Sequence, residues 1–572
     1  MRINGLSSKK PIEFGILKVP KNDIGNRPML AFHMSTVFER FRSSAHRWGD
    51  ADFLYVEEVT AQTYGIAAGP IAWSSALAQV EELHRAYAVA GYGHGHRVGL
   101  LMENRPAFLL HWLALNGLGV SVVPINVEMR AAELAYLIDH SEIALAVVLP
   151  QRVEALQAAV MATGAQTRVV DMHVHQFPPP AMPATQATPP TRETECALLY
   201  TSGTTGRPKG CRLSNDYFLR TGDWYAGLGG HCSVRTGQER ILTPLPQNHV
   251  NAMCFSAMAI ITAGGCLIQL DRFHPRTWWQ SVRDSGATIV HYLGVMPAML
   301  LGAEATPEDR AHLVRWGFGA GVGAKDHARF EARFGFPLVE GWAMTETGAG
   351  GAIHSNLGER RIGMHAIGRP DPLLEVRLVD DEGQEVAAGQ NGELLVRAKG
   401  EDPRRHFFSG YLKDEAATDE AWAGGWFHTG DVVRADPDGM LYFVDRKKNV
   451  IRRSGENISA VEVEAVLAQH PTVKTAAVAA TPDEIRGDEV LACIVLREGT
   501  AVTDRVALAQ EIVRHALTQL AYYKAPGYVA FVDAVPLTSS QKIQRGELRV
   551  LAAQLPGQDA CVDTRALKIR QE

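Results

Sequence analysis

Hydrophobic positions in the first third of the chain recur at two periods. Between residues 32 and 150, stretches with helical spacing alternate with short apolar runs at 97–102, 120–124 and 145–149, which predicts helices layered on a sheet. Residues 176–191, crowded with Pro, Ala and Thr, predict an exposed connector. The α/β pattern resumes from 196 to 444, where runs at 375–379 and 392–397 predict a β-rich subdomain. A smaller α+β unit starts near Asp445 and runs to the end, and no internal repeat is visible. One charge-free run, 250–270, reaches the length of a bilayer span. Its Asn251, Ser256, Thr262 and Gln269, and the break at Gly264-Gly265, predict instead a buried helix turning into a core strand.

Composition narrows the class. The 572 residues are enough for about three or four compact lobes, and 46% hydrophobic content is ordinary for a globular enzyme. A formal charge of −6 with no long basic run disfavours a nucleic-acid partner. Seven cysteines without a CxxC pair or a Cys/His cluster predict reduced thiols, with neither a disulfide framework nor a zinc site. Residues 1–26 mix Lys, Arg, Pro and Gly without a signal-like apolar core, so a cytoplasmic location and no integral membrane segment are expected.

The chemistry concentrates at 199–210, LYTSGTTGRPKG. Thr201, Ser202, Thr204 and Thr205 offer hydroxyls, Gly203 and Gly206 let backbone N–H groups turn toward an anion, and Lys209 adds a mobile positive charge. The apolar run 197–200 predicts a strand end feeding this loop, with the next element at 213–218. A Walker A loop needs four residues between its first Gly and a Gly-Lys pair. Here two residues separate Gly203 from Gly206, and Pro208 precedes Lys209, which argues against a P-loop NTPase. A plain Ser/Thr/Gly linker is the competing reading.

Four further strings follow in order: GWAMTETG (341–348), GGWFHTGDVV (424–433), FVDRKKNVIRRSGENISAVEVE (443–464) and PLTSSQKIQRGELR (536–549). With the phosphate loop they resemble the adenylate-forming superfamily, and 445–464 looks most like its carnitine/crotonobetaine-CoA ligase branch. The resemblance implies an α/β fold. Residues 1–447 would form a large multi-subdomain adenylation domain, with α/β layers plus a β-rich subdomain, and 448–572 a small mobile α+β domain. It implies ATP, Mg²⁺ and coenzyme A as cofactors, and ATP-dependent ligation of a small-molecule carboxylic acid to CoA through an acyl adenylate. A homodimer is compatible with it.

Residue roles follow from the same resemblance. Glu346 is the Mg²⁺ ligand and Thr345 a hydrogen-bond partner of the α-phosphate. Trp342, where the family commonly has Tyr, stacks on adenine or belongs to the core. Asp431 accepts the ribose hydroxyls and Arg446 supports ribose or phosphate; a buried Asp–Arg structural pair is the competing reading, and the two roles can coexist. Lys542 enters the site for adenylation, although Gln541 stands where the family usually has Gly. Lys448 is the hinge that brings Ser454, Gly455, Glu456 and Asn457 toward the site for thioester formation. Arg452, Arg453, Lys447 and Lys448 meet CoA phosphates or form a solvated basic face. His249, Asn251, Tyr292, Gly319 and Gly321 frame a modest acyl pocket with no obvious counter-charge, His249 orienting the acid or lying satisfied in the core.

One pattern points elsewhere. GAGVGA (319–324), with Glu340 downstream, fits the loose dinucleotide fingerprint, but its place among adenylation strings argues against a dehydrogenase. Two alternatives to CoA ligation stay open: a stand-alone adenylation protein loading a carrier-protein phosphopantetheine, and a binding protein impaired at Gln541.

Overall fold

The computed structural model describes residues 34–569 except 186, 202–206, 381, 447–450, 459, 501–503, 537–542 and 544. Its first sheet runs in the order Arg168–Asp171, Leu145–Val148, Arg97–Leu101, Ser121–Pro124, Glu195–Thr201, Lys209–Ser214, parallel except for the last pair. Ser121–Pro124 and Leu145–Val148 are buried at every residue, as strands covered on both faces must be. The helix Pro106–Gly117 is apolar nearly all round and buried from Phe108 to Asn116, so it forms core and not surface.

A second sheet of thirteen strands joins two patterns. Its centre is a parallel run of Leu338–Trp342, Trp316–Ala320, Ile289–Leu293, Arg240–Thr243 and Cys266–Gln269. Beyond it lies an antiparallel extension through Ile353–His354, Ala366–Pro370, Leu441–Arg446, Phe427–Ala435, Asn391–Ala398 and Leu374–Val379. The extension is the β-rich part expected near 375–397. The run 250–270 is a π-helix, Asn251–Ser256, continued by the helix Ala257–Ala263 and, after Gly264-Gly265, by the strand Cys266–Gln269. No helix among the described residues is long and apolar enough to cross a membrane. The connector 176–191 is largely exposed but fastened: Phe177 stacks on Tyr87 at 3.9 Å between ring centroids, and the Pro178 carbonyl accepts from the Tyr92 hydroxyl. All seven cysteines are unpaired and six are buried.

The C-terminal unit has its own sheet, in the order Glu456–Ile458, Ile451–Arg453, Gly487–Leu496, Tyr528–Phe531, Cys561–Asp563, with the long strand Val473–Asp483 also paired to Gly487–Leu496. Its core is separate. Ile451, Val463, Leu467, Val490, Ile494, Ile512 and Val513 are fully buried on one face, and Leu491, Cys493 and Leu548 on the other.

Candidate active site

The strands Glu195–Thr201 and Lys209–Ser214 form an antiparallel pair in which Thr201 faces Lys209. Ser202, Gly203, Thr204, Thr205 and Gly206 lie outside the described residues. The residues between Thr201 and Lys209 therefore lead from strand to strand, whereas a P-loop joins strand to helix. The element expected at 213–218 is in fact a strand end and a helix start, with Ser214 as N-cap of Asn215–Ala226.

Beside Lys209 a segment of the β-rich part is stitched to the second strand. The Arg212 N–H donates to the Gly410 carbonyl at 3.0 Å, and the Leu412 N–H to the Gly210 carbonyl at 2.8 Å. This places Tyr411 under the lysine, with Lys209 Nζ 4.8 Å from its ring centroid. The Tyr411 hydroxyl donates to Glu346 Oε1 at 2.9 Å. Burial, and then the Glu346 charge, push that hydroxyl far above the ordinary phenol range, so it stays a donor. Lys209 and Glu346 thus flank one ring. Sequence reasoning missed Tyr411; the Gly410-Tyr411 pair between two motifs was its only signal.

Glu346 ends a short segment fixed at several points. Its first residue, Trp342, closes the strand Leu338–Trp342 and donates its indole N–H to Asp431 Oδ2 at 2.8 Å, both side chains being buried. Asp431 lies in Phe427–Ala435 opposite Arg446, whose side chain lies outside the described residues. Trp342 is thus a side-chain partner of Asp431 that neither the stacking nor the Asp–Arg reading foresaw. Further along, the Thr345 carbonyl accepts from the Tyr217 hydroxyl at 2.9 Å, the Thr347 hydroxyl accepts the Met344 N–H at 2.9 Å, and the Glu346 carbonyl accepts the Phe408 N–H at 2.9 Å. Tyr217 was not singled out from sequence either.

The pocket candidates split into two groups. Asn251 Oδ1 lies 3.2 Å from His291 Nδ1, and His291 is also bonded to Ser256 and Tyr225, a buried network that burial keeps neutral, with the His291 pKa lowered to about 3. The Tyr292 hydroxyl donates to the Val339 carbonyl, making Tyr292 a wall. A Cβ at Gly319 would meet the Tyr292 carbonyl at 2.2 Å, so only glycine fits. The loop after it is strand, turn and helix, as in a dinucleotide site. Yet the N–H groups of Gly321 and Val322 both donate to Glu340 Oε1, each at 3.0 Å, so its donors are taken by the protein.

His249 belongs to the second group, facing the small domain. The strands Ile451–Arg453 and Glu456–Ile458 are joined by Ser454 and Gly455 with φ of 50° and 90°, the two left-handed residues of a type I′ hairpin turn. The tip rests on the large domain: a Cβ at Gly455 would meet Leu293 Cδ1 at 2.2 Å. The next residue, Glu456, places Oε2 3.2 Å from His249 Nε2. Burial alone would lower the His249 pKa, but the Glu456 carboxylate outweighs it and holds it above the usual imidazole value. Burial would likewise raise Glu456, and the His249 charge reverses that to a net lowering. Lys448, Gln541 and Lys542 lie outside the described residues.

This arrangement of an antiparallel strand pair carrying Lys209, an acid on a tyrosine and a separate small domain occurs in a chain whose residues 43–412 match the AMP-binding enzyme family and 462–542 the AMP-binding enzyme C-terminal domain. The chain belongs to the AMP-binding enzyme family, the adenylate-forming acyl-CoA ligases. It is similar to the crotonobetaine/carnitine–CoA ligases of Citrobacter koseri and Escherichia coli O9:H4, each 30% identical over 520 residues covering 88% of this chain and 98% of the relative. Its fold is shared with o-succinylbenzoate-CoA synthetase of Bacillus subtilis, with TM-score 0.75 and 22% identity over 89% of this chain and 98% of that one. A malonyl-CoA ligase bound to methylmalonyl-CoA and AMP has TM-score 0.69 and 27% identity over 85% and 97% of the two chains.

Proposed function

We propose that the protein activates a small carboxylic acid with ATP as an acyl adenylate, releasing pyrophosphate, and transfers the acyl group to the thiol of CoA, releasing AMP. The observation that carries this reading is the segment from Trp342 to Glu346, one end bonded to Asp431 and the other to Tyr411 under Lys209. In this reading its Trp342 end meets the ribose and its Glu346 end the phosphates of one nucleotide.

A free carboxylate is a poor electrophile because attack would have to expel oxide. Attack of its oxygen on the α-phosphorus of ATP, with pyrophosphate leaving, forms a mixed anhydride. Negative charge grows on the phosphoryl oxygens during that step. Lys209, Thr345 and the loop at 202–206 are the groups proposed to meet it, since preorganised donors stabilise developing charge without reorganisation. Asp431 holds the ribose hydroxyls and Trp342 forms the neighbouring wall for adenine. Arg446, beside Asp431 in register, supports ribose or phosphate.

Among the described residues no cluster of three or more His, Cys, Asp or Glu could hold a metal. One buried carboxylate, Glu346, beside a phosphate-binding lysine fits Mg²⁺, which takes one or two carboxylates plus substrate phosphates. When bound, Mg²⁺ would neutralise phosphate charge. Tyr411 fixes the Glu346 carboxylate for that purpose.

For the second step the small domain changes orientation about Lys448, withdrawing Lys542 and presenting the hairpin of Ser454, Gly455 and Glu456. The contact of Glu456 with His249 supports this orientation as the one described here. His249, Asn251, Tyr292, Gly319 and Gly321 bound the acyl site, His249 at its mouth. A panel of carboxylates in ATP–pyrophosphate exchange tests the first step. Mass spectrometry of the products with CoA present tests the second. Exchange with no acid in the panel would overturn the reading, and AMP release only with a carrier protein would favour that acceptor over CoA.

A further inference from the structure

The two domains meet again away from the hairpin. Tyr523 and Lys524 of the small domain reach the stretch that links the strand Ser121–Pro124 to the helix Ala131–Ser141. Asn126 Nδ2 donates to the Tyr523 oxygen at 3.2 Å. Lys524 Nζ donates to Glu133 Oε1 of the large domain at 2.7 Å and to Glu462 Oε1 of its own domain at 2.9 Å. The three side chains are 9%, 9% and 11% exposed, for Lys524, Glu133 and Glu462.

Glu133 has two tasks. Its Oε2 accepts the Arg130 N–H at 3.0 Å, closing the first turn of the helix Ala131–Ser141, while Oε1 holds the ammonium. Glu462 sits at the start of the helix Ala460–Leu467, just beyond the strand that carries Glu456. The Tyr523 hydroxyl, after the His249 and Lys524 charges, also helps hold the Glu456 carboxyl below its usual range. The lysine cluster and the His249–Glu456 contact are thus two ends of one docked face.

A buried ammonium between two carboxylates is costly to desolvate, so such a group contributes little as glue but discriminates sharply between arrangements. Burial would lower the Lys524 pKa, and the charges of Glu462 and Glu133 outweigh it and hold it above the usual ammonium value. If the small domain leaves this face, Lys524 keeps Glu462, and the bond to Glu133 is lost to water.

We propose that Glu133 is a positioning residue for thioester formation, acting through Lys524 to latch the small domain in the orientation that sets Glu456 against His249. This rests on the two-step reading above. Glu133→Gln keeps an oxygen for the Arg130 N–H and removes the charge. The expected result is unchanged carboxylate-dependent pyrophosphate exchange, and conversion of supplied acyl adenylate and CoA to thioester slowed by about tenfold or more, as for a lost hydrogen bond between charged groups. Lys524→Met, which leaves both carboxylates facing each other, should slow that step further.

Hydrogen exchange supplies a readout independent of turnover. Peptides covering 126–134 and 451–458 should lose protection together in both variants, with the remaining core unchanged. Equal loss of both half-reactions in Glu133→Gln, or thioester formation and protection both at wild-type level, overturns the latch. Should no acid support exchange in the wild type, the two-step reading fails while the protection measurement still decides whether Glu133 holds the domain.

Discussion

The indole of Trp342 and the carboxylate of Asp431 share a hydrogen bond of 2.8 Å in which both partners are buried. A tyrosine or phenylalanine ring at 342 could wall the nucleotide but has no N–H at that place. Trp342→Phe therefore removes a charge-assisted bond worth about 1.5 to 3 kcal/mol while keeping most of the apolar contact. The expected outcome is an ATP KM raised roughly tenfold with the acid KM nearly constant. Asp431→Ala should raise the ATP KM further. A rise confined to the acid KM in steady-state assays would refute the ribose assignment.

Glu346→Gln should depress pyrophosphate exchange by about two orders of magnitude or more, because the carboxylate proposed to hold Mg²⁺ loses its charge. Tyr411→Phe leaves that charge but loses its orienting donor, and a smaller loss of about tenfold is expected. Exchange rates across a Mg²⁺ titration separate the two: Glu346→Gln should demand more Mg²⁺. Near-normal exchange in Glu346→Gln would remove it from the mechanism.

Lys542→Ala should abolish acyl-adenylate formation yet convert supplied adenylate and CoA to thioester, since in the proposed two-orientation scheme that lysine serves only the first. Replacing Lys448 with Pro should do the reverse, as φ becomes locked near −65° at the hinge. Single-turnover measurement of each half-reaction checks both variants. Equal loss of both steps in a folded Lys542→Ala would defeat the two-orientation account and direct attention to Gln541.

Docking through His249 and Glu456 should depend on pH with a definite sign. His249 has its pKa raised on docking, so its contribution is complete below the ordinary histidine value of about 6.5 and fades as pH climbs through the raised value. Glu456 has its pKa lowered, so its contribution holds above the ordinary carboxyl value and is lost as pH falls through the lowered one. The ratio of wild-type to His249→Gln thioester rates cancels the ionisation of the CoA thiol. That ratio should fall on the alkaline side, and a ratio flat with pH would count against the contact.

Glu489 anchors the hairpin from below. It accepts from Arg453 Nε at 2.8 Å and from Lys568 Nζ at 2.5 Å, and the three side chains are 0–4% exposed. Glu489→Gln leaves the buried Arg453 guanidinium short of its counter-charge, while Lys568, whose pKa burial already lowers to about 7, can shed its proton, and the small domain should lose about 3 to 5 kcal/mol. The exposed pair Arg565–Asp563 is a control whose removal should cost under about 1 kcal/mol. Urea melts followed by hydrogen exchange of the small-domain core read both, and equal effects would contradict the burial argument.

Local pattern carried much of the architecture. The runs expected at 97–102 and 145–149 are the strands Arg97–Leu101 and Leu145–Val148, and the apolar stretch at 250–270 turns from helix to strand where its two glycines stand. Lys209, Glu346 and Asp431 were legible because each sits in a contiguous string of unusual composition. Tyr411 was not, since its meaning comes from Lys209 and Glu346, which are distant in sequence. Glu133 and Lys524 are 391 residues apart, and each alone looks like an ordinary surface charge. Trp342 was singled out for its ring face, while its described bond is made by the edge, a distinction that backbone geometry settles and spacing does not.

The turn at Gly321 and Val322 has the shape of a receptor for an anion, and Glu340 from the adjoining strand already occupies it. Burial holds that carboxyl above its usual range, and the two amides pull the other way, favouring the charged form. The guest is covalently part of the host. Because its local concentration never falls, no free phosphate can compete for those amides on equal terms, and what would be a docking point becomes a rivet between two strands. A fingerprint of glycines therefore records only that backbone donors are turned inward; who meets them is decided by one side chain about twenty residues away.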